Sequence, residues 1–147
     1  MSFLRTYYSV RNMPHIDSVL TNFKTEKKVL KVQLEEGESI LKALPVALTQ
    51  NNVREAKVEE INGTLKEALI NYFSGNKFYS KKLSNTQIFR AHGNVRESFG
   101  DLYGSIHVSI TPKNPFSGTL VNAIAGKDSE VVLSFLEYKP NTPIQRE

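Results

Sequence analysis

The clearest run of alternating apolar and polar positions lies between Leu102 and Ile110. Leu102, Ile106, Val108 and Ile110 fall on one face of a strand of period two, with Gly104 among them. Tyr103, Ser105, His107 and Ser109 fall on the other. This predicts a sheet with one face in the core and one facing water or a partner. The residues from Thr86 onward read as a companion strand carrying His92. A polar loop from Asn94 to Asp101, containing Arg96, Glu97 and Gly100, is expected to join the two.

A helical spacing appears most clearly once. Ile40, Leu41, Leu44, Ala47 and Leu48 form a single stripe, Ser39 stands where an N-cap belongs, and Asn51-Asn52 ends the element. Pro45 conflicts with it: a proline inside a helix lacks the N–H its turn needs. A kink, or a free carbonyl at Leu41, is the expected result. Val29–Leu34, Glu55–Ile61, Lys77–Leu83, Gly118–Ile124 and Glu130–Tyr138 read as strands, with turns at Asn62-Gly63, Ser74-Gly75-Asn76 and Ser84-Asn85. Pro112 to Ser117 reads as an irregular loop. Val131 to Leu136 is apolar on both faces, which predicts a central strand. Thr64 to Phe73 fits both periods and leans towards helix: Leu65, Ala68, Leu69, Tyr72 and Phe73 share a helical face, and Thr64 with Glu67 makes a capping box.

The ends read differently from the middle. Residues 1–28 resemble an extension, with a short strand around Phe3–Val10, a break at Met13-Pro14, and helical spacing at Ile16, Val19, Leu20 and Phe23. The main domain is expected over 29–138 and a disordered tail over 139–147.

Composition narrows the class. The chain has 147 residues, 39% hydrophobic and 23% charged, enough for one domain with a sizeable core. It contains no cysteine, which removes disulfides, thiol catalysis and Cys-based zinc sites. No signal-like segment and no apolar run of about 18 residues occurs, so no membrane span and a cytoplasmic location are expected. Lys and Arg exceed Asp and Glu by 19 to 15, a net +4 that permits a polyanionic partner without demanding one.

Six motifs then line up: Leu34–Leu44 (LEEGESILKAL), Ile61–Ala68 (INGTLKEA), His92–Val95 (HGNV), Gly104–Ile110 (GSIHVSI), Ser117–Ala123 (SGTLVNA) and Ser129–Leu133 (SEVVL). In order and spacing they resemble the plants-and-prokaryotes-conserved (PPC) domain family, in its bacterial form often labelled DNA-binding. The resemblance covers about Val29 to Glu137. It implies an α+β domain, a curved and mostly antiparallel β-sheet with one main packed helix, assembled as a homotrimer. It also implies that Ala68 to Phe73 is a strand, against the helical periodicity.

The resemblance bears on chemistry through its departures. Many bacterial relatives hold a metal with three histidines, whose positions here carry Ser105, His107 and Thr119. One imidazole and two neutral hydroxyls make a poor zinc set. His92 substitutes for a missing ligand only if it shares a face with His107. No metal site, no cofactor and no catalytic set is therefore expected. Plant members grip DNA with an Arg-Gly-Arg-Pro hook that this chain lacks, so DNA association transfers only by analogy.

Two functional classes remain. The first is an oligomeric PPC-type module, DNA-associated or regulatory, with Lys81, Lys82 and Arg90 as DNA-contact candidates; Lys24, Lys27, Lys28, Lys31 and Arg96 add scattered charge. The plain alternative for these cations is a solvated face. The second class is a small-ligand binder or enzyme, as in acetolactate decarboxylase, a zinc enzyme of the same fold type. Its cleft, shared between subunits, would be lined by His92, Arg96, Tyr103, Ser105, His107 and Thr119. His107 with Glu97 is a candidate acid–base pair. The plain reading of His107 is a surface or interface histidine hydrogen-bonded to a neighbour.

Overall fold

In a computed structural model, residues 3–9, 23–110 and 116–140 are described. They form strands β1 (Phe3–Ser9) and β2 (Phe23–Gln33), helix α1 (Ile40–Gln50), and strands β3 (Glu55–Asn62), β4 (Thr64–Ser74), β5 (Lys77–Gln87), β6 (Arg90–Ser98), β7 (Asp101–Ile110), β8 (Phe116–Ala125) and β9 (Glu130–Pro140). All nine strands belong to one antiparallel sheet, ordered β1-β2-β9-β3-β6-β7-β8-β4-β5 and open at both edges. This is the expected mostly antiparallel α+β architecture with one packed helix.

The connections require that sheet to bend. β3 and β4 stand four places apart, about 19 Å in a flat sheet at ~4.8 Å per strand. Only Gly63 joins them, and one residue spans at most about 7 Å between its neighbours' Cα atoms. Residues 126–129 connect β8 to β9 across the same interval. The ribbon β3/β9 therefore turns a corner and continues as β4/β8. At the corner Gly63 has φ +93°, and a Cβ there would lie 2.4 Å from the carbonyl oxygen of Asp128. Ser129, fully buried, stitches the two limbs: its hydroxyl accepts from the Gly126 N–H (3.1 Å) and lies 3.1 Å from the carbonyls of Thr64 and Gly126, either of which takes its proton.

Inside the bend lies one apolar core. α1 contributes Ile40, Ala43, Leu44, Ala47 and Leu48 at the spacing i, i+3, i+4, i+7, i+8, together with Pro45. Eleven residues make a rod of about 16 Å, which spans about three strands. It packs on β6, β7 and β8. The rest of the core is closed by the sheet itself, with Leu30, Val32, Val58, Val131 and Leu133 buried on the concave side. Burying a Leu such as Leu44 or Leu133 stabilises the fold by about 1.5–3 kcal/mol.

Several expectations change in detail. Ser39 is the N-cap but its hydroxyl makes no cap hydrogen bond; the helix start is tied to β8 instead, through Ala125 N–H to Glu38 O (2.8 Å) and Gly37 N–H to Ala125 O (2.8 Å). The helix runs through Pro45 as one element. The polar loop expected from Asn94 to Asp101 is strand for most of its length: β6 continues to Ser98, and only Phe99-Gly100 turn. Both have positive φ (51° and 85°), the geometry of a two-residue hairpin whose twist matches its strands. Ser84-Asn85 is not a turn but lies inside β5, Asn85 having φ 50°. Thr64–Ser74 is a strand, as the resemblance implied and the helical spacing did not.

The boundary drawn after Lys28 falls within β2, which begins at Phe23, and β1 pairs along it from Phe3↔Val32 to Ser9↔Glu26. The helical spacing of Ile16, Val19 and Leu20 lies outside the described residues, as does the tail beyond Pro140. β9 is central, between β2 and β3, and Val131, Val132 and Leu133 are buried within the single chain.

Candidate functional site

The convex side of β6, β7 and β8 carries every ligand-cleft residue expected from the sequence. β6 and β7 are in register His92↔His107, Asn94↔Ser105 and Arg96↔Tyr103, and β7 meets β8 at His107↔Thr119. Directly opposed residues on neighbouring strands point to the same face. His92, Arg96, Tyr103, Ser105 and His107 are all exposed, and Thr119 is half-buried. Their apolar alternates Ala91, Val95, Ile106 and Val108 fill the core.

The two histidines are cross-strand neighbours. Their ring centroids are 5.4 Å apart with planes inclined by 33°. His107 Nδ1 lies 3.4 Å from Thr119 Oγ1. Thr119 faces Asn71 on β4, and Asn71 faces Ser80 on β5, whose hydroxyl donates to Asn71 Oδ1 at 2.5 Å. A polar row thus crosses five strands: His92, His107, Thr119, Asn71, Ser80. Beside it Ser109 and Ser117 share a hydrogen bond of 2.9 Å. Asn71 and Ser80 escaped sequence reasoning because they belong to strands far from β7 in the chain. Ser109 was already in the alternation.

Close backbone approach shapes this hairpin. Gly104 has φ +107°, and a Cβ on it would stand 2.2 Å from the carbonyl oxygen of Asn94. Glycine is required where φ is positive and the partner strand is that near.

The cations divide. On the convex face, Arg96 stacks over Tyr103 (5.5 Å from Cζ to the ring centroid) and Arg90 lies over the Phe89 ring (5.3 Å). Lys57, opposite Asn94, adds a third cation on β3. Among the described residues none of these three forms an ion pair. Lys81 and Lys82 are consecutive on β5 and so point to opposite faces. Lys82 pairs with Glu67 at 3.1 Å, while Lys81 sits 5.2 Å from the Phe116 ring. The structure does not gather Lys81, Lys82 and Arg90 into one patch.

Glu97 is not available to His107. It faces Leu102 on the alternate side of β6 from His92, and its carboxylate accepts the Gly100 N–H at 2.9 Å, closing the hairpin turn. The acid–base pair expected from the sequence is absent because Glu97 lies on a strand, not a loop. Nor do the residues suit the metal that the resemblance associates with this position. His92 shares the face of His107, giving two imidazoles, but Ser105 and Thr119 bring only neutral hydroxyls. Among the described residues, no group of three or more His, Cys, Asp or Glu side chains could hold a metal ion.

Comparison with known proteins supports the fold. No protein-family model matches the chain, and no curated protein matches it. Solved structures do. The chain resembles a metal-containing protein from Archaeoglobus fulgidus with a TM-score of 0.61 and 20% identity, covering 76% of this chain and 81% of that one. It resembles a plant- and prokaryote-conserved (PPC) protein from Pyrococcus horikoshii with a TM-score of 0.58 and 23% identity, over 76% and 78% of the two chains. It also resembles a protein proposed to bind DNA from Ralstonia eutropha, with a TM-score of 0.57, 17% identity, and coverage of 76% and 78%. The fold is PPC-like. Among the described residues no helix is long and apolar enough to cross a membrane.

Proposed function

We propose that this protein is a homo-oligomeric PPC-type module that works by binding, and that it associates with DNA through the convex face of β6 and β7. The observation that carries the reading is a solvent-facing strip with three cations, Lys57, Arg90 and Arg96, that no described carboxylate neutralises in an ion pair. Unpaired cations on an open face attract phosphates, and each contact steepens the loss of affinity with salt. An anisotropy titration with a labelled oligonucleotide at 50 mM salt tests it. Dissociation constants at or below tens of micromolar, rising sharply by 200 mM salt, are expected. No binding at low salt would remove the DNA reading.

Assembly, read as a trimer by analogy with the family, has its own support. Val131 to Ser134 of β9 are buried within one chain, so that stretch does not argue for a partner; exposed aromatics do. Phe73 and Phe78 stack on each other at 4.3 Å near the β4–β5 turn while 65% and 69% exposed. Phe99, 100% exposed, tips the β6–β7 hairpin. Two different apolar patches on one chain suit a head-to-tail contact, which closes into a ring. Light scattering is expected to give about three times the 16.6 kDa chain mass, and a monomer mass at micromolar concentration would exclude the ring.

A second reading is favoured by one observation, the juxtaposed rings of His92 and His107 beside Thr119. Two imidazoles and a hydroxyl suit a small anionic ligand held where neighbouring subunits meet. Native mass spectrometry of the purified oligomer would reveal such a ligand by its mass, and His107→Ala should lose it.

A further inference from the structure

The convex face of the β6–β7 hairpin carries planar groups at nearly every second position. Arg90, its Cζ 5.3 Å over the ring of the exposed Phe89 just before the strand, stands at one end, His92 beside His107 follows, and Arg96 with Tyr103 stands at the other. Between the last two lie Asn94 and Ser105, an amide and a hydroxyl directly opposed. Arg90 to Arg96 is six residues of strand, about 20 Å at ~3.4 Å per residue.

Each feature has a counterpart in unpaired nucleic acid and not in a duplex. Aromatic rings, imidazoles and guanidinium planes stack on base faces, which a duplex hides inside its own stack. Asn and Ser side chains donate to and accept from base edges that pairing would otherwise occupy. Arg90, Arg96 and Lys57 supply phosphate contacts alongside, with Lys57 one strand over from Asn94. Glu55 stands opposite Arg96, Asp101 lies at the hairpin end, and Glu59, whose carboxylate accepts from the Ser134 hydroxyl, lies beside Lys57. No carboxylate faces the His92–His107 or Asn94–Ser105 pairs across β6 and β7.

We propose that the convex strip of the β6–β7 hairpin is a single-stranded DNA site for about three or four nucleotides, one base stacked on each planar group. This rests on the DNA-association reading above and names both its site and the state of its partner. Phe73, Phe78 and Phe99 take no part, so assembly and binding do not compete for the same side chains.

The test is fluorescence anisotropy on the full-length oligomer with a labelled 12-nucleotide oligo-dT and a labelled 12-base-pair duplex, each at 50 and 200 mM salt. The single strand should bind at least tenfold more tightly than the duplex. Tyr103→Ala and Arg96→Gln should each weaken single-strand binding at least fivefold. Tyr103→Phe, which keeps the ring, should restore it, and Lys42→Gln on the exposed side of α1 should change nothing. Arg90→Gln and Arg96→Gln should each flatten the salt dependence by about 0.7 in log–log slope. Light scattering and thermal melts of each variant confirm that fold and assembly persist. A duplex bound as well as the single strand would overturn the inference and leave the broader DNA reading standing. Binding of neither probe would overturn both. Single-strand binding indifferent to Tyr103→Ala and Arg96→Gln would place the contact elsewhere and overturn this site.

Discussion

The same strands present two unlike faces. On the concave side of β6 and β7, Ala91, Val95, Ile106 and Val108 are packed under α1, and almost any change there must alter volume or bury polarity. On the convex side, one residue along, His92, Arg96, Tyr103, Ser105 and His107 stand in the open and make few hydrogen bonds with one another. The difference is a matter of strand parity, and it separates residues the fold needs from residues a partner can use. The concave face is over-determined by packing, while the convex face is free to be specified by what it binds.

The sharpest break of that contrast is a cavity on the concave side. Leu44→Ala removes a fully buried side chain from the middle of the helix stripe, and a loss of about 2–5 kcal/mol is expected, read from the midpoint of urea unfolding. The corner should be nearly as sensitive. Gly63→Ala forces a Cβ into the Asp128 carbonyl at a positive φ and should cost about 1–3 kcal/mol. Ser129→Ala leaves the Gly126 N–H without its buried acceptor, also at about 1–3 kcal/mol. A corner variant with unchanged stability would mean that the sheet does not depend on this bend.

A smaller effect of opposite sign is expected at the hairpin tip. Phe99 holds φ 51° while fully exposed, a conformation that Asn tolerates better before a glycine. Phe99→Asn should raise chain stability by about 0.5–1 kcal/mol in a thermal melt. If Phe99 is an apolar contact between copies, the same variant lowers the oligomer mass in light scattering. A gain in stability with the assembly intact would leave the exposure of Phe99 without that explanation.

How far these regions were legible in the sequence follows from the same geometry. α1 and β7 were readable because each keeps its apolar residues on one stripe, at spacing 3.6 or 2, broken in β7 only by Gly104. β4 was not, because its register against β8 shifts twice, between Leu65 and Glu67 and between Leu69 and Ile70. A bulge inserts an extra residue, so buried Leu65 and Ala68 are three apart and imitate a helical turn. The second half of β6 was read as a loop since its outward residues Asn94, Arg96 and Ser98 are polar and Gly93 interrupts the apolar side. The two-residue turn Phe99-Gly100 was hidden by a phenylalanine where Asn or Asp is usual. The cleft residues were legible as a group because β7 alone carries three of the six. Their alignment with His92, Asn71 and Ser80 depends on pairing across the sheet, which no local pattern encodes.

The smallest expected effect is the most pointed test of the two-face contrast. His92 and His107 lie 5.4 Å apart on the exposed side, with one long contact from His107 to Thr119 and none that buries a ring. Removing either ring therefore takes away little packing and leaves no polar group stranded in the core. His92→Ala and His107→Ala should each change the unfolding free energy by no more than about 0.5 kcal/mol, the range of ordinary surface substitutions. The double variant should equal the sum of the singles within about 0.5 kcal/mol, since rings that face water couple weakly. A double variant losing several times that amount would show that the pair is buried in the working assembly. The histidines would then belong to the architecture of the oligomer, and the convex face would no longer be the part of this protein left open for a partner.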